Sequence, residues 1–411
     1  MTPTKKLFGA AALGALLVAA CHNDQLLRPQ NAEPVDPMFA RYVSLGNSIT
    51  AGFQSGGIND STQLQAYPVL LAQQMHSQFF VPLLNRPGCP PPLVNVFLGT
   101  VVGGASAPPC ALRKPQDPPL PYLSNVAVPG AAVEDILSNL SPASSANALT
   151  TFILGGLTQS QMMQRTNPTF VTVWIGNNDV LGAATDPVNG GDPTEVTSPT
   201  AFAARYDSLL DAIDQTPAAG QGVLIGVGDV AAIPYFSYGL VYFGAYLQNQ
   251  LPPAMTVSLS CAPMASGGVG DTTLVPFRYG ATLLGLAAAG VPDTLDCLDD
   301  HNITPSEIAN LHAAVTAYNS HIAAAASARG YAYFDPNIAL GQLRADTSQV
   351  VIFPHFPPTP NDNSPGVVER PFGSAFSRDG VHPSAATHKL VTNALILAIN
   401  AKYGTTLQPI P

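Results

Sequence analysis

Arg41-Tyr42-Val43-Ser44-Leu45-Gly46-Asn47-Ser48-Ile49-Thr50-Ala51-Gly52-Phe53 is a short apolar run that breaks abruptly into small and polar residues. It reads as a buried strand that delivers Ser48 to a strand end. In an open α/β sheet, ligands bind at the carboxyl ends of the strands, so a serine placed there by a Gly-Asn turn is a candidate nucleophile. A lone Gly-x-Ser equally suits an ordinary turn, because serine and asparagine populate turns through their own hydrogen bonds. The rest of the chain has to decide between the two.

Three later blocks bear on it. Leu123-Ser124-Asn125-Val126-Ala127-Val128-Pro129-Gly130-Ala131 reads as a second strand breaking at Gly130, with a helix expected over Val133 to Leu140. Phe170-Val171-Thr172-Val173-Trp174-Ile175, β-branched and aromatic, is the clearest strand signal and ends in Gly176-Asn177-Asn178-Asp179. An asparagine there can donate to a developing oxyanion or simply cap a helix. The last block is Ser377-Arg378-Asp379-Gly380-Val381-His382-Pro383. An aspartate three residues before a histidine, across a glycine, can turn back to accept from the imidazole Nδ1–H, fixing the tautomer that lets Nε2 take a serine proton. His312, His321 and His388 have no such neighbouring acid and read as packing or surface residues.

Helices are expected from Tyr67 to His76, Ala201 to Ile213, Thr304 to about Ala328 and Ser384 to about Ala401, with further strands over Gly222 to Val227 and Tyr331 to Asp335. Thr304-Pro305-Ser306-Glu307 carries both a cap and a proline for a helix start. Gly226-Val227-Gly228-Asp229-Val230-Ala231 superficially suits a dinucleotide fingerprint, but no helix opens after it, so that reading is discarded. Three stretches near residues 83–122, 232–301 and 336–376 read as irregular insertions; the second could be a lid, a cleft wall or a structural embellishment.

The chain has 411 residues, 46% of them hydrophobic, enough for a substantial core. Only 10% are charged and the net charge is -10, so there is no basic stripe for a nucleic acid. Lys5 and Lys6, an apolar run from Leu7 to Ala20 and then Cys21 give the layout of an export signal, too short for a permanent membrane span. Residues 1–20 are read as the signal, 21–38 as a polar, proline-bearing tether and 39–405 as the functional domain. Leu17-Val18-Ala19-Ala20-Cys21 resembles a bacterial lipobox, which implies lipidation of Cys21. His22 stands where an aspartate would resemble an inner-membrane retention signal, so an outer-membrane address is expected. Cys89, Cys110, Cys261 and Cys297 remain, an even number in a chain expected to be exported. Pairing 89 with 110 and 261 with 297 is preferred because each pair brackets one loop-rich segment, with buried free thiols as the alternative. The absence of a Cys-x-x-Cys spacing disfavours zinc.

Together the four blocks resemble the SGNH hydrolases, the group that includes GDSL-type esterases and lipases. Ser48 matches the nucleophile block, Gly130 the glycine block, Asn178 the asparagine block, and Asp379 with His382 the final block. The resemblance implies a flavodoxin-like three-layer α/β/α sandwich with about five parallel strands, and ester hydrolysis without metal or cofactor. It implies Ser48, Asp379 and His382 as the triad, with the N–H groups of Ser48 and Gly130 and the Asn178 amide as the oxyanion hole. Two departures stand out: Asn47 where the family usually has aspartate, and Ala127 where glycine is often found. Asparagine keeps the size and the carbonyl acceptor, so it can still organise the turn. The low charge and apolar insertions favour lipid-like or aryl and alkyl esters. A carbohydrate O-deacetylase of the same fold and a non-catalytic surface-binding lipoprotein remain as alternatives.

Overall fold

Tyr42–Gly46 forms β1, and its alternation decides the layering. Val43 and Leu45 point into one hydrophobic cluster, whereas Tyr42 points into another, on the opposite face of the sheet. The one-turn helix α1 (Ser48–Ala51) follows directly, then α2 (Tyr67–Gln74), with Pro68 in its first turn where the lost N–H has no intrahelical partner to lose. A computed structural model describes residues 35–108, 110–138, 149–355 and 370–411, and Pro37–Pro411 form one compact unit. The expected signal, Cys21 and most of the tether lie outside the described residues.

Helix α3 (Gln159–Thr166) leads into β2 (Phe170–Trp174), α4 (Asn178–Ala184), α5 (Pro199–Asp214) and β3 (Gly222–Ile225). Further on come α6 (Gly239–Leu247), α7 (Phe277–Ala288), α8 (Pro305–Arg329), β4 (Ala332–Phe334), α9 (Pro336–Ala345) and α10 (Ala385–Tyr403). The main sheet is parallel with order β1-β2-β3-β4. Helices α2 and α10 cover the face of Tyr42, Phe170, Trp174, Val223 and Ile225. Helices α5 and α8 cover the face of Val43, Val171, Val173 and Leu224. Burial of Leu395, Ile396 and Ile399 of α10 against the sheet contributes about 1.5–3 kcal/mol each. The fold is therefore the mixed α/β architecture with a parallel sheet that the sequence implies. Among the described residues, no helix is long and apolar enough to cross a membrane.

The expected second strand is only partly one. Ser44 N–H donates to Ser124 O at 2.8 Å, Val126 N–H to Ser44 O at 3.0 Å and Val128 N–H to Gly46 O at 3.2 Å, so residues 124–128 run parallel beside β1. The Asn125 side chain takes the Ala127 N–H and donates to Thr50 O, which draws this segment toward α1 instead of into a regular ladder. With it the segments lie side by side in the order 124–128, β1, β2, β3, β4, so the chain reverses its direction of travel across the sheet beside β1. The helix expected over Val133 to Leu140 is a single 3-10 turn, Val133–Ile136, tied by Asp135 to the Ala132 N–H; residues 139 and 140 lie outside the described residues.

The insertions are more ordered than expected. Residues 236–301 hold α6, α7, an antiparallel pair (Phe236–Tyr238 with Leu274–Pro276) and a parallel pair (Met255–Val257 with Asp293–Leu295) around a small core of their own. The glycines inside both helices hid them from sequence reading, since interior glycine lowers helix propensity. At Gly280 a Cβ would come within 1.9 Å of the Tyr242 hydroxyl, so close helix packing requires that glycine. Disulfides join Cys89 to Cys110 and Cys261 to Cys297. In the stretch 336–376, α9 begins at an Asp335-Pro336 start in which the Asp335 side chain accepts from the Asn337 N–H. Residues 356–369 lie outside the described residues.

Candidate active site

At the carboxyl end of β1 the chain must turn in almost no space. A Cβ at Gly46 would lie 2.4 Å from Thr50 Oγ1 and 2.5 Å from Trp174 O, so only glycine lets β1 run this close to β2 and α1. Gln159 grips the same residue with both halves of its amide, accepting from Gly46 N–H and donating to Gly46 O. Asn47 then caps α1, its Oδ1 accepting from Ile49 N–H at 3.1 Å. Ser48 is the first residue of that helix and is 7% exposed. Asn47 Nδ2 reaches Asn177 Oδ1 at 3.3 Å, a donation an aspartate could not make.

Asp379 and His382 arrive from the far end of the chain on a loop that precedes α10. Ser48 Oγ lies 2.8 Å from His382 Nε2, and His382 Nδ1 lies 2.9 Å from Asp379 Oδ2. Asp379 Oδ2 also accepts from Gly56 N–H at 2.7 Å, while Oδ1 accepts from the Ser377 hydroxyl and from the N–H groups of Val381 and His382. Burial pushes this carboxyl up. The charge and ring hydrogen bond of His382, together with the His382 and Val381 N–H groups, outweigh burial and hold it well below the ordinary carboxylate range. Phe53 packs on the imidazole with ring centroids 4.9 Å apart.

Asn178 opens α4 at the end of β2 and donates from Nδ2 to Ala131 O at 2.8 Å. The amide carries a second N–H for another acceptor. Gly130, directly before Ala131, is exposed, has φ of 82° and sits two residues after the Val128 N–H that bonds Gly46 O. The glycine turn thus lies at the same end of the sheet as Ser48. His388 is fully buried with its Nδ1 accepting from Tyr67 N–H, and burial pushes its pKa down to about 3, with the nearby His382 adding to the effect. It is a neutral packing residue, as expected.

Ser48, Asn178 and His382 line one cavity of about 430 Å³. Its apolar wall includes Leu340 and Leu343 of α9 and Leu390, Val391 and Ala394 of α10. Helix α9 was not expected from sequence, although Asp335-Pro336 was a visible start signal. The Ser377 hydroxyl bonds Asp379 from only two residues away, a local signal that sequence reading leaves unused, whereas the Gly56 contact spans 323 residues and has no local pattern. Among the described residues, no group of three or more His, Cys, Asp or Glu could hold a metal ion.

The model of the family described as GDSL-like lipase/acylhydrolase matches residues 42–395, from β1 into α10. The chain belongs to that family. Membership places the chain among hydrolases. No curated protein matches. Among solved structures, it is similar to an extracellular lipase from Streptomyces rimosus, at 15% identity over 88% of this chain and 98% of that one, TM-score 0.37. A phospholipase A1 from Streptomyces albidoflavus is 16% identical over 88% and 98%, TM-score 0.37. An acetyl xylan esterase variant from Geobacillus stearothermophilus is 12% identical over 89% and 96%, TM-score 0.37.

Proposed function

We propose that the chain is a serine esterase or lipase that hydrolyses carboxylic (acyl) esters. The observation that carries this is the unbroken hydrogen-bonded line from Ser48 Oγ through His382 to Asp379. In this reading Ser48 attacks the acyl carbonyl while His382 Nε2 takes its proton. His382 then returns that proton to the leaving alcohol, and a water, activated in the same way, releases the acid from the acyl-enzyme. Asp379 stays ionised throughout and stabilises the imidazolium. The Ser48 and Gly130 N–H groups and the second N–H of the Asn178 amide hold the oxyanion.

The apolar wall between α9 and α10 suits an acyl chain rather than a charged group, which favours lipid-like or simple alkyl and aryl esters. The lipobox-like sequence further supports an exported protein tethered through a lipid on Cys21 to the outer membrane, with residues 21–38 as the spacer. Initial rates on p-nitrophenyl esters from acetate to palmitate, for the protein and Ser48→Ala, test the enzymatic reading. Activity on these esters that requires Ser48 supports it; equal rates in both proteins overturn it. Radiolabelled palmitate incorporated into the wild type but not Cys21→Ala tests the anchor.

A further inference from the structure

Three consecutive residues after Gly130 are held from outside their own turn or by Asp135 within it. Ala131 O accepts from Asn178 Nδ2 at 2.8 Å, Ala132 N–H donates to Asp135 Oδ2 at 2.8 Å, and Val133 N–H donates to Asp179 Oδ2 at 2.9 Å. Asp179 follows Asn178 in sequence, so the start of α4 grips the glycine turn at two points. Asp179 is 2% exposed, and Asp135 Oδ1 is buried without a hydrogen-bond partner. An ionised carboxylate with an orphaned buried oxygen is costly, whereas a carboxylic acid leaves only a neutral group there.

We infer that Asp135 and Asp179 are positioning residues for the oxyanion donors, a pair that clamps the 130–133 turn against Asn178 with Asp179 ionised and Asp135 protonated. This rests on the esterase reading above, in which Gly130 and Asn178 receive the oxyanion. The electrostatics agree with the geometry. Burial raises Asp135 to about 7, opposed by the Ala132 N–H and reinforced by the charge of Asp179. Burial raises Asp179 to about 6, opposed by the Val133 N–H and the Thr197 hydroxyl. Around the pair are Tyr318 of α8, whose hydroxyl donates to Thr197 O, and the ion pair of Glu134 with Arg205 of α5. The proton on Asp135 is released as pH rises through about 7, and a second negative charge then faces Asp179 across the turn. Both folded values lie above the ordinary carboxylate value, so the stability these groups contribute is complete below about pH 4 and is lost as pH rises through about 6 to 7.

The consequence is an alkaline limb in the rate profile that belongs to the oxyanion turn. Asp135→Asn keeps the neutral, protonated-like state at every pH. With p-nitrophenyl acetate between pH 5 and 9, wild-type kcat/KM should fall above about pH 7, and Asp135→Asn should abolish that fall, exceeding wild type at pH 9 by roughly fivefold or more. An unchanged alkaline limb in Asp135→Asn, or a wild-type limb that coincides with unfolding by circular dichroism, overturns the proposal. Should the variant not fold, carbon-13 NMR of the wild-type aspartates replaces it. A buried carboxyl titrating together with the alkaline limb supports the assignment, and a separation of more than about one pH unit defeats it. Ser48-dependent hydrolysis with an unchanged limb removes this inference alone. Hydrolysis that does not need Ser48 removes the esterase reading and the inference with it.

Discussion

The two halves of the site are built by different means. Ser48, Asn178 and the Gly130 turn stand at strand ends and are held by the sheet: Gly46 is locked by Gln159 and crowded by Trp174, and Asn178 opens α4 directly after β2. Asp379 and His382 stand on a loop that belongs to no strand. Their place is fixed by hydrogen bonds among themselves, by three with the 55–56 turn (Ser55 N–H to Ser377 Oγ, Arg378 N–H to Ser55 Oγ and Gly56 N–H to Asp379 Oδ2) and by one from Tyr235 N–H to Gly380 O. The sheet half is rigid because its backbone is shared with the core. The loop half is held by hydrogen bonds, and Asp379 accepts four of them besides the one from the His382 ring.

That contrast predicts the largest loss in the loop half. Asp379→Asn leaves the loop its size but removes the charge and frees the wrong histidine tautomer, so kcat should fall on the order of 10⁴-fold. A loss of only tenfold, by steady-state kinetics on an active ester, would show that the loop does not rely on Asp379. In the sheet half, Asn178→Ala should lower kcat by about 10² to 10³ with KM little changed, as expected for a donor that acts in the transition state. The fold should survive, because β2 and α4 keep their other contacts; a collapse of near-ultraviolet circular dichroism would contradict this.

A smaller effect separates the halves by stability. Ser377 donates to Asp379 and accepts from Ser55, so Ser377→Ala leaves a buried N–H unpaired and should destabilise by about 1–3 kcal/mol in urea titration. The pH signature has a definite sign. Asp379 has its folded pKa depressed, so its stabilisation is present above the ordinary carboxylate range and is lost as pH falls through that range and below. Removing the Ser377 donor weakens that depression, and acid unfolding should begin at higher pH in Ser377→Ala than in wild type. The smallest effect belongs to Asn47→Asp. Asn177 can turn its amide over to donate to the new carboxylate, so the change should stay on the order of 1 kcal/mol, up to about fivefold in kcat/KM. A loss of a hundredfold would mean that the Asn47–Asn177 contact is specific to the amide.

Much of this was legible in the chain. The Asp379-to-His382 spacing is local and needs only one glycine turn to close, and the apolar runs before Ser48 and Asn178 announce strands whatever surrounds them. The Thr304-Glu307 cap marks the start of α8 for the same reason. What escaped depends on distance or on packing. Gly56 and Asp379 are 323 residues apart, and Val133 meets Asp179 across 46. In the helices of the disulfide-linked insertion Gly239 and Gly280 are explained by packing, not propensity, and the 124–128 segment spends the side chain of Asn125 on its own backbone and on Thr50 instead of completing a ladder.

The central claim is that Ser48 is a nucleophile made reactive by His382 and Asp379. Its most direct test is to expose the protein to a fluorophosphonate probe and locate the adduct by mass spectrometry, with Ser48→Ala and His382→Ala alongside. The account predicts one adduct, on the peptide containing Ser48, absent in Ser48→Ala and formed far more slowly in His382→Ala. Folded wild-type protein that stays unlabelled, or labelling at another serine that persists in Ser48→Ala, would contradict it.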